Sequence, residues 1–203
     1  RDEIEPNKDL LNKAVKDKVV MITGAAGSIG SEIALKVLMF NPKKLILIDM
    51  NEPSLYQLSQ RIKDKNLITE NIFYKLGDIK CEPFLNKLFS EYKVDIVFHA
   101  AAYKHVPLVE NNPLEGIRNN VFSTLSLFRS ASKYSVSNLV LISSDKAVRP
   151  TNIMGCSKRI CELIFLYYPR KNKETKYSVV RFGNVIGSSG SVVPLFNKQL
   201  NKG

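Results

Sequence analysis

The sequence predicts an α/β protein: a doubly wound parallel sheet with helices on both faces. Two observations carry this expectation. Short β-branched or apolar runs alternate with stretches of helical length whose apolar residues recur near every 3.6 positions. The residues that follow the runs are small, polar or acidic almost throughout, as expected where strands end at a ligand-binding edge. Strand–helix alternation requires right-handed crossovers, hence a parallel sheet covered on both sides. A chain of 203 residues, 44% of them hydrophobic, builds such a core as one domain without a disulfide staple.

Taken in order, residues 1–15 are polar, carry Pro6 and show no sustained period, so they read as a linker or arm ahead of a domain over 16–203. The first strand is expected over Val19–Thr23, followed by a helix over Ser31–Phe40. A strand at Leu45–Ile48 and a helix at Ser54–Lys63 come next, then a strand at Ile72–Leu76 and a helix at Glu82–Tyr92. The run Val94–Phe98 precedes one long helix over Leu114–Lys133. Leu139–Ser143, a helix over Asn152–Tyr167 and Ser178–Phe182 complete six strands, all expected to be buried.

Composition removes several functions. Thirty Lys and Arg against 19 Asp and Glu leave a charge of +11, but the lysines are scattered without a five-residue basic cluster. That pattern fits a solvated surface, and no nucleic acid is expected as a partner. Cys81, Cys156 and Cys161 are odd in number and lack CxxC spacing, and His99 and His105 are the two histidines, so neither a disulfide framework nor a metal site is expected. No uncharged apolar run approaches the roughly 18 residues of a spanning helix, and no signal-like apolar core is present. The reading is of a protein soluble in a reducing compartment.

The first strand is followed by Thr23-Gly24-Ala25-Ala26-Gly27-Ser28-Ile29-Gly30, a GxxGxxG turn that opens a helix. Gly24 permits the tight turn, Gly27 lets the backbone approach a pyrophosphate, and Gly30 lets the helix lie against the strand. With Ala26, Ser28 and Ile29 these residues are expected to bind a dinucleotide, which makes the fold Rossmann-like. Asp49 ends the next strand 19 residues after Gly30. Its carboxylate suits the adenosine ribose and repels a 2′-phosphate, favouring NAD over NADP; capping the helix at Glu52 is its alternative use. Asp78, followed by Ile79, suits either an adenine amino group or a cap for the helix at Glu82. Ala100 and Ala101 offer a flat surface to the nicotinamide half, and His99 is expected to pack beside it.

Beyond the cofactor motif stand Ser143-Ser144-Asp145-Lys146 and Met154-Gly155-Cys156-Ser157-Lys158, in which Met154 and Lys158 share a helix face one turn apart. SSDKAVRPTNIMGCSKR, ITGAAGSIGSE, HAAAYKHVPLVE and RFGNVIGSSGSVVPLF resemble the sugar-nucleotide 4,6-dehydratases and epimerase-like proteins of bacterial polysaccharide and glycan synthesis. These are extended short-chain dehydrogenase/reductases, and the resemblance covers about residues 16–203. It implies bound NAD, a UDP-N-acetylhexosamine substrate, in the first place UDP-N-acetylglucosamine, and a 4-keto-6-deoxy product. In that reaction a hydride leaves carbon 4, a proton leaves carbon 5 as the carbon 6 hydroxyl departs, and the hydride returns to carbon 6.

The resemblance gives Asp145 the role of acid at carbon 6, with its pKa raised by burial under the sugar, and Lys146 that of base at carbon 5 in its neutral form. Ser144 holds the carbon 4 oxygen, and Lys158 fixes the nicotinamide ribose. Lys104 and His105 are matched to the sugar diphosphate, with solvation on an exposed loop as the alternative. Asn184 is matched to a substrate contact and Asn120 to a structural role, although Ser123 replaces a glycine beside it. Met154 stands where the superfamily carries a tyrosine base, and a thioether does no acid–base work; a branch of these dehydratases shares that substitution. The proton acceptor for the oxidation is then Asp145, Lys158 or a relayed water. Tyr167 and Tyr168 read as packing or interface residues.

The same resemblance implies a longer protein, in which GSSGSVVPLF leads into a substrate-binding carboxyl-terminal region. An amino-terminal membrane portion would anchor it at the inner membrane with this domain on the cytoplasmic side, as a homo-oligomer. Two other functions fit parts of the sequence. A 4-epimerase returns the hydride to carbon 4 and needs neither Asp145 nor Lys146, and a non-catalytic NAD-binding module explains Met154.

Overall fold

The computed structural model describes residues 7–65, 67, 70–167 and 175–185. They run α1 (Lys8–Val15), β1 (Val19–Thr23), α2 (Ser28–Leu38), β2 (Lys44–Asp49), α3 (Glu52–Asp64), β3 (Ile72–Leu76) and α4 (Glu82–Tyr92). The chain continues through β4 (Ile96–His99), α5 (Val106–Asn111), α6 (Pro113–Ile117), α7 (Ser123–Lys133), β5 (Asn138–Ile142), α8 (Ile153–Tyr167) and β6 (Lys176–Val180). All neighbouring strands pair in parallel, in the order β3-β2-β1-β4-β5-β6. The chain reverses its direction of winding between β1 and β4, and the crevice outside their carboxyl ends is where such a sheet takes a ligand.

Alternation along the strands feeds two cores. Val20 and Ile22 of β1, with Leu45 and Leu47 of β2, pack on one face against Ala34, Leu35, Leu55 and Ile62 of α2 and α3. Met21, Ile46, Val97 and Leu139 point the other way, onto Leu85, Phe89, Phe128 and Phe165 of α4, α7 and α8. Each such side chain contributes about 1.5–3 kcal/mol on burial. The expected doubly wound, Rossmann-like architecture is the one observed.

Four local differences have physical causes. The stretch read as an arm carries a helix: the Asn7 side chain accepts a hydrogen bond from the Leu10 N–H at 3.0 Å, α1 follows, and Val15 enters the core. Of the strands expected to be buried, β1 alone is buried throughout; β2, β4 and β5 are partly exposed at some positions, β3 is mostly half-buried, and in β6 Lys176, Ser178 and Val180 face outward. A short helix, α5, occupies what reads as loop, started by Pro107 in its first turn. The long helix expected over Leu114–Lys133 is divided by a π-helical turn at Arg118–Phe122. There Ser123 Oγ donates to the Asn119 carbonyl and Thr124 Oγ1 to that of Asn120 at 2.6 Å, and such side-chain bonds compete with the α-helical ladder.

Residues 1–6, Tyr168 and the GSSGSVVPLF segment lie outside the described residues. Among the described residues no helix is long and apolar enough to cross a membrane, and no group of His, Cys, Asp and Glu could hold a metal ion.

Candidate active site

The turn between β1 and α2 is made of backbone. Gly24 has φ +65°, and a Cβ there would lie 2.5 Å from the Cα and N of Ala101, at the foot of the loop that leaves β4. A Cβ on Gly30 would run into the Gly24 carbonyl, so the helix touches the turn where only hydrogen fits. Gly27 caps α2 without a side chain and no acidic residue stands in its first turn, which leaves the helix's positive end available to an anion. Asp49 Oδ2 accepts the Ala26 N–H at 2.9 Å and Oδ1 that of Asn51 at 3.0 Å, so the end of β2 holds the turn in place.

This turn forms one wall of a cleft of about 1230 Å³. Gly27, Ser28, Ile29 and Gly30 line it on the β1 side, Ala100, Ala102, Lys104 and His105 from the loop after β4, and Ser144, Lys146, Met154, Lys158 and Asn184 on the far side. The β4 loop is pinned by Asn120 in the π-helical turn. Its side-chain oxygen accepts the Tyr103 N–H at 2.7 Å, while its Nδ2 donates to the Tyr103 carbonyl at 3.1 Å and to Ser157 Oγ of α8 at 2.8 Å.

After β5 a single 3-10 turn, Asp145–Ala147, presents the polar cluster. Ser144 Oγ donates to Asp145 Oδ1 at 2.9 Å, and Lys146 Nζ donates to the same oxygen and to Asn184 Oδ1, both at 3.2 Å. Asp145 is half-exposed, and the Ser144 hydroxyl, then Lys146, holds its carboxyl below the ordinary value. Gly155 lets α8 sit on this turn, because a Cβ there would meet the Lys146 carbonyl.

Along α8, Met154, Lys158 and Glu162 are spaced by four and form one buried stripe. Lys158 Nζ donates to the Ile142 carbonyl at 2.7 Å, and burial pushes its pKa down. Beneath it, His99 Nδ1 lies 2.7 Å from Thr23 Oγ1 and Nε2 lies 2.9 Å from Thr124 Oγ1. The Thr124 hydroxyl donates its one proton to the Asn120 carbonyl, so His99 donates from Nε2 and accepts at Nδ1. Burial, with the Lys158 charge, lowers its pKa to about 3, and the ring is neutral.

Residues 20–203 match the family model described as polysaccharide biosynthesis protein. The chain belongs to that family. It is 41% identical over 203 residues to the capsular polysaccharide biosynthesis protein CapD of Staphylococcus aureus, covering 100% of this chain and 34% of CapD. It is 36% identical over 190 residues to the inverting UDP-N-acetylglucosamine 4,6-dehydratase of Campylobacter jejuni, covering 92% of this chain and 54% of that protein. A UDP-glucose 4-epimerase of Rickettsia bellii is 34% identical over 191 residues, with 92% and 54% covered. Among solved structures, Pen from Bacillus thuringiensis superposes with a TM-score of 0.85 at 38% identity, over 92% of this chain and 58% of that one. The chain thus spans between about a third and just over half of these relatives' lengths.

Most of the expected site residues of this polysaccharide biosynthesis family member meet in the one cleft, with corrections. Asp49 does not cap α3; Asn51 does, through Ser54 N–H at 2.9 Å. Asp78 does not cap α4, whose N-cap is Cys81; it turns back to accept the Lys80 N–H at 2.9 Å and pairs with Lys80 Nζ at 3.1 Å. Ile79 is a core residue, and it, Asp78, Gly24, Asp49 and Asp145 are not among the residues lining the cleft. Ala101 lies under the turn rather than at the cleft wall, and its use is to fit Gly24. With no sugar over it, the Asp145 carboxyl is held low because its partners donate to the ionised form; the rise expected from burial under the sugar concerns the substrate-bound state. Tyr167 is exposed, which removes the packing reading and leaves the interface one.

Sequence reasoning missed Glu162 and Arg181. Glu162 is 1% exposed yet charged, and Arg181 grips both its oxygens, Nε to Oε1 at 2.7 Å and the second nitrogen to Oε2 at 2.6 Å. The signal was present as a carboxylate continuing the Met154–Lys158 stripe by one more turn. Also missed was Glu110, whose Oε1 accepts the Ile153 N–H at 2.5 Å and ties α5 to the start of α8.

Proposed function

We propose that this chain is the cofactor-binding and proton-transferring part of a nucleotide-sugar 4,6-dehydratase that uses NAD and acts on a UDP-N-acetylhexosamine, UDP-N-acetylglucosamine first among them. The observation that carries this reading is the hydrogen-bonded Ser144–Asp145–Lys146–Asn184 cluster, of which Ser144, Lys146 and Asn184 line the cleft wall facing the glycine turn. The uncapped end of α2 and the Gly24–Gly30 contact, closed to any Cβ, suit a pyrophosphate, and the Asp49 carboxylate suits a ribose without a 2′-phosphate. The chemistry NAD supplies when bound is reversible hydride acceptance.

The residues of the chain account for the protons. Oxidation at carbon 4 releases one from the hydroxyl, and Met154 cannot take it. Asp145 can: it is held ionised, and Ser144 Oγ at 2.9 Å offers a hydroxyl relay to it. The same proton, now on Asp145, leaves with the carbon 6 hydroxyl as water. Lys146 Nζ takes the carbon 5 proton and returns one there after the hydride reaches carbon 6. Two protons are released and two are delivered, so the cycle closes on an ionised Asp145 and a neutral Lys146 amine, the state in which Lys146 must enter it to act as a base. Lys158, buried beneath the cleft with its Nζ on the Ile142 carbonyl, orients the cofactor ribose.

The test is mass spectrometry of UDP-N-acetylglucosamine incubated with NAD and this chain extended by the carboxyl-terminal substrate-binding region that the resemblance implies. Loss of one water from the sugar is expected. An unchanged mass with carbon 4 inverted would replace this reading by the epimerase, which needs neither member of the Asp145–Lys146 pair.

A further inference from the structure

We propose that Glu162 is a positioning residue: it locks the segment leaving β5 to the segment leaving β6, and thereby sets where Lys146, Asp145 and Asn184 meet. Four donors converge on its two oxygens. Ser143 Oγ donates to Oε1 at 2.6 Å beside Arg181 Nε, and Arg159 donates to Oε2 at 2.9 Å beside the other Arg181 nitrogen. Ser143 is the residue before Ser144-Asp145-Lys146, and Arg181 precedes Phe182-Gly183-Asn184. One carboxylate on α8 therefore holds the roots of both polar segments.

The backbone carries the lock forward. The Ser143 N–H donates to the Val180 carbonyl at 2.7 Å and the Asp145 N–H to the Phe182 carbonyl at 3.0 Å, extending the β5–β6 pairing past both strand ends to the Lys146–Asn184 contact. Burial alone would raise the Glu162 pKa, but the donors from Arg181, Ser143 and Arg159 outweigh it and bring it down to about 2. The carboxylate is charged, and the Arg181 fork closed, at neutral pH. Apolar packing could replace a buried ion pair without loss of stability. It could not fix the relative register of two segments, which the two-pronged geometry of Arg181 does.

The turnover arm of the test rests on the dehydratase reading; the exchange arm does not. In this chain, Glu162→Gln is expected to speed hydrogen exchange of the Ser143 and Asp145 amides about tenfold or more, with β1 and β2 amides within about twofold of the parent. In the carboxyl-terminally extended protein, the same substitution should lower kcat for water loss about tenfold or more, with KM for the sugar nucleotide within about threefold. Should Glu162→Gln fail to fold, Arg181→Lys, which keeps the charge and removes the fork, carries the same expectations. Unchanged exchange at Ser143 and Asp145, acceleration spread equally over β1 and β2, or near-parental kcat would each overturn the proposal. If the parent releases no water, the dehydratase reading fails while the exchange pattern still decides the role of Glu162.

Discussion

The two halves of the sheet build their walls of the cleft from different material. On the β1–β3 side the wall is backbone: a turn at positive φ, a helix end without a side-chain cap, and contacts at Gly24 and Gly30 that exclude a Cβ. On the β4–β6 side it is side chains whose charges are held by other side chains: Lys146 on Asp145 and Asn184, Glu162 in the grip of Arg181, and neutral His99 under Lys158. The first wall is therefore sensitive first to volume, with charge entering through the Asp49 carboxylate behind the turn. The second is sensitive to charge and to proton position at constant volume.

Substitutions that respect shape and remove one proton-transferring group should break the second wall hardest. Asp145→Asn, tested in the carboxyl-terminally extended protein, is expected to lower product formation about 100-fold or more by mass spectrometry, while calorimetric NAD affinity stays within about twofold. Met154→Ala, which removes no proton, should lower the rate far less. Equal losses for the two would erase the distinction between a chemical wall and a packing one.

The first wall should yield to a single carbon. Gly30→Ala places a Cβ against the Gly24 carbonyl, and is expected to weaken NAD binding about tenfold or more and to lower Tm by several degrees. Calorimetry and thermal unfolding read both effects, and parental affinity would show that the helix need not lie so close to the turn. A somewhat smaller loss is expected from Asp49→Ala, about tenfold in NAD affinity, with the preference over NADP narrowed. An unaltered preference would confine Asp49 to holding Ala26 N–H.

These differences decided what could be read from sequence. The glycine turn was legible because tight φ and close approach demand glycine at fixed spacing, and the sheet followed from apolar runs that are nearly continuous where both faces are covered. The β4–β6 wall was legible only where a motif resembled a known one. Glu162 could be placed on the Met154–Lys158 stripe, but its pairing was hidden, because Arg181 is 19 residues away and no local period joins them. The π-helical turn escaped because the hydroxyls of Ser123 and Thr124 disturb a helix whose apolar spacing looks regular. The donors that hold Asp145 ionised in the open cleft were not legible, because which neighbours reach it is a matter of a few ångströms that sequence does not contain.

A smaller effect separates the walls by pH. The folded chain keeps His99 neutral, with a pKa lowered from 6.5 to about 3, so its contribution is complete above pH 6.5. It is lost as pH falls from there towards 3, because the unfolded chain takes up a proton that the folded chain refuses. Urea unfolding should show stability falling by about 1.4 kcal/mol per pH unit from this group below about pH 6. Glu162, lowered from 4.5 to about 2, adds its own loss only below pH 4.5. His99→Gln should remove the upper limb alone, and an undiminished slope would mean that another group titrates there.

The claim that the β4–β6 wall transfers protons while the β1–β3 wall only binds is tested most directly by Lys146→Ala. The extended protein, with UDP-N-acetylglucosamine and NAD in deuterated water, should in its parental form release water and acquire deuterium at carbon 5. The Lys146→Ala variant should still bind NAD and form transient NADH, yet show no deuterium at carbon 5 and no product. Near-normal exchange and product in that variant would contradict the account.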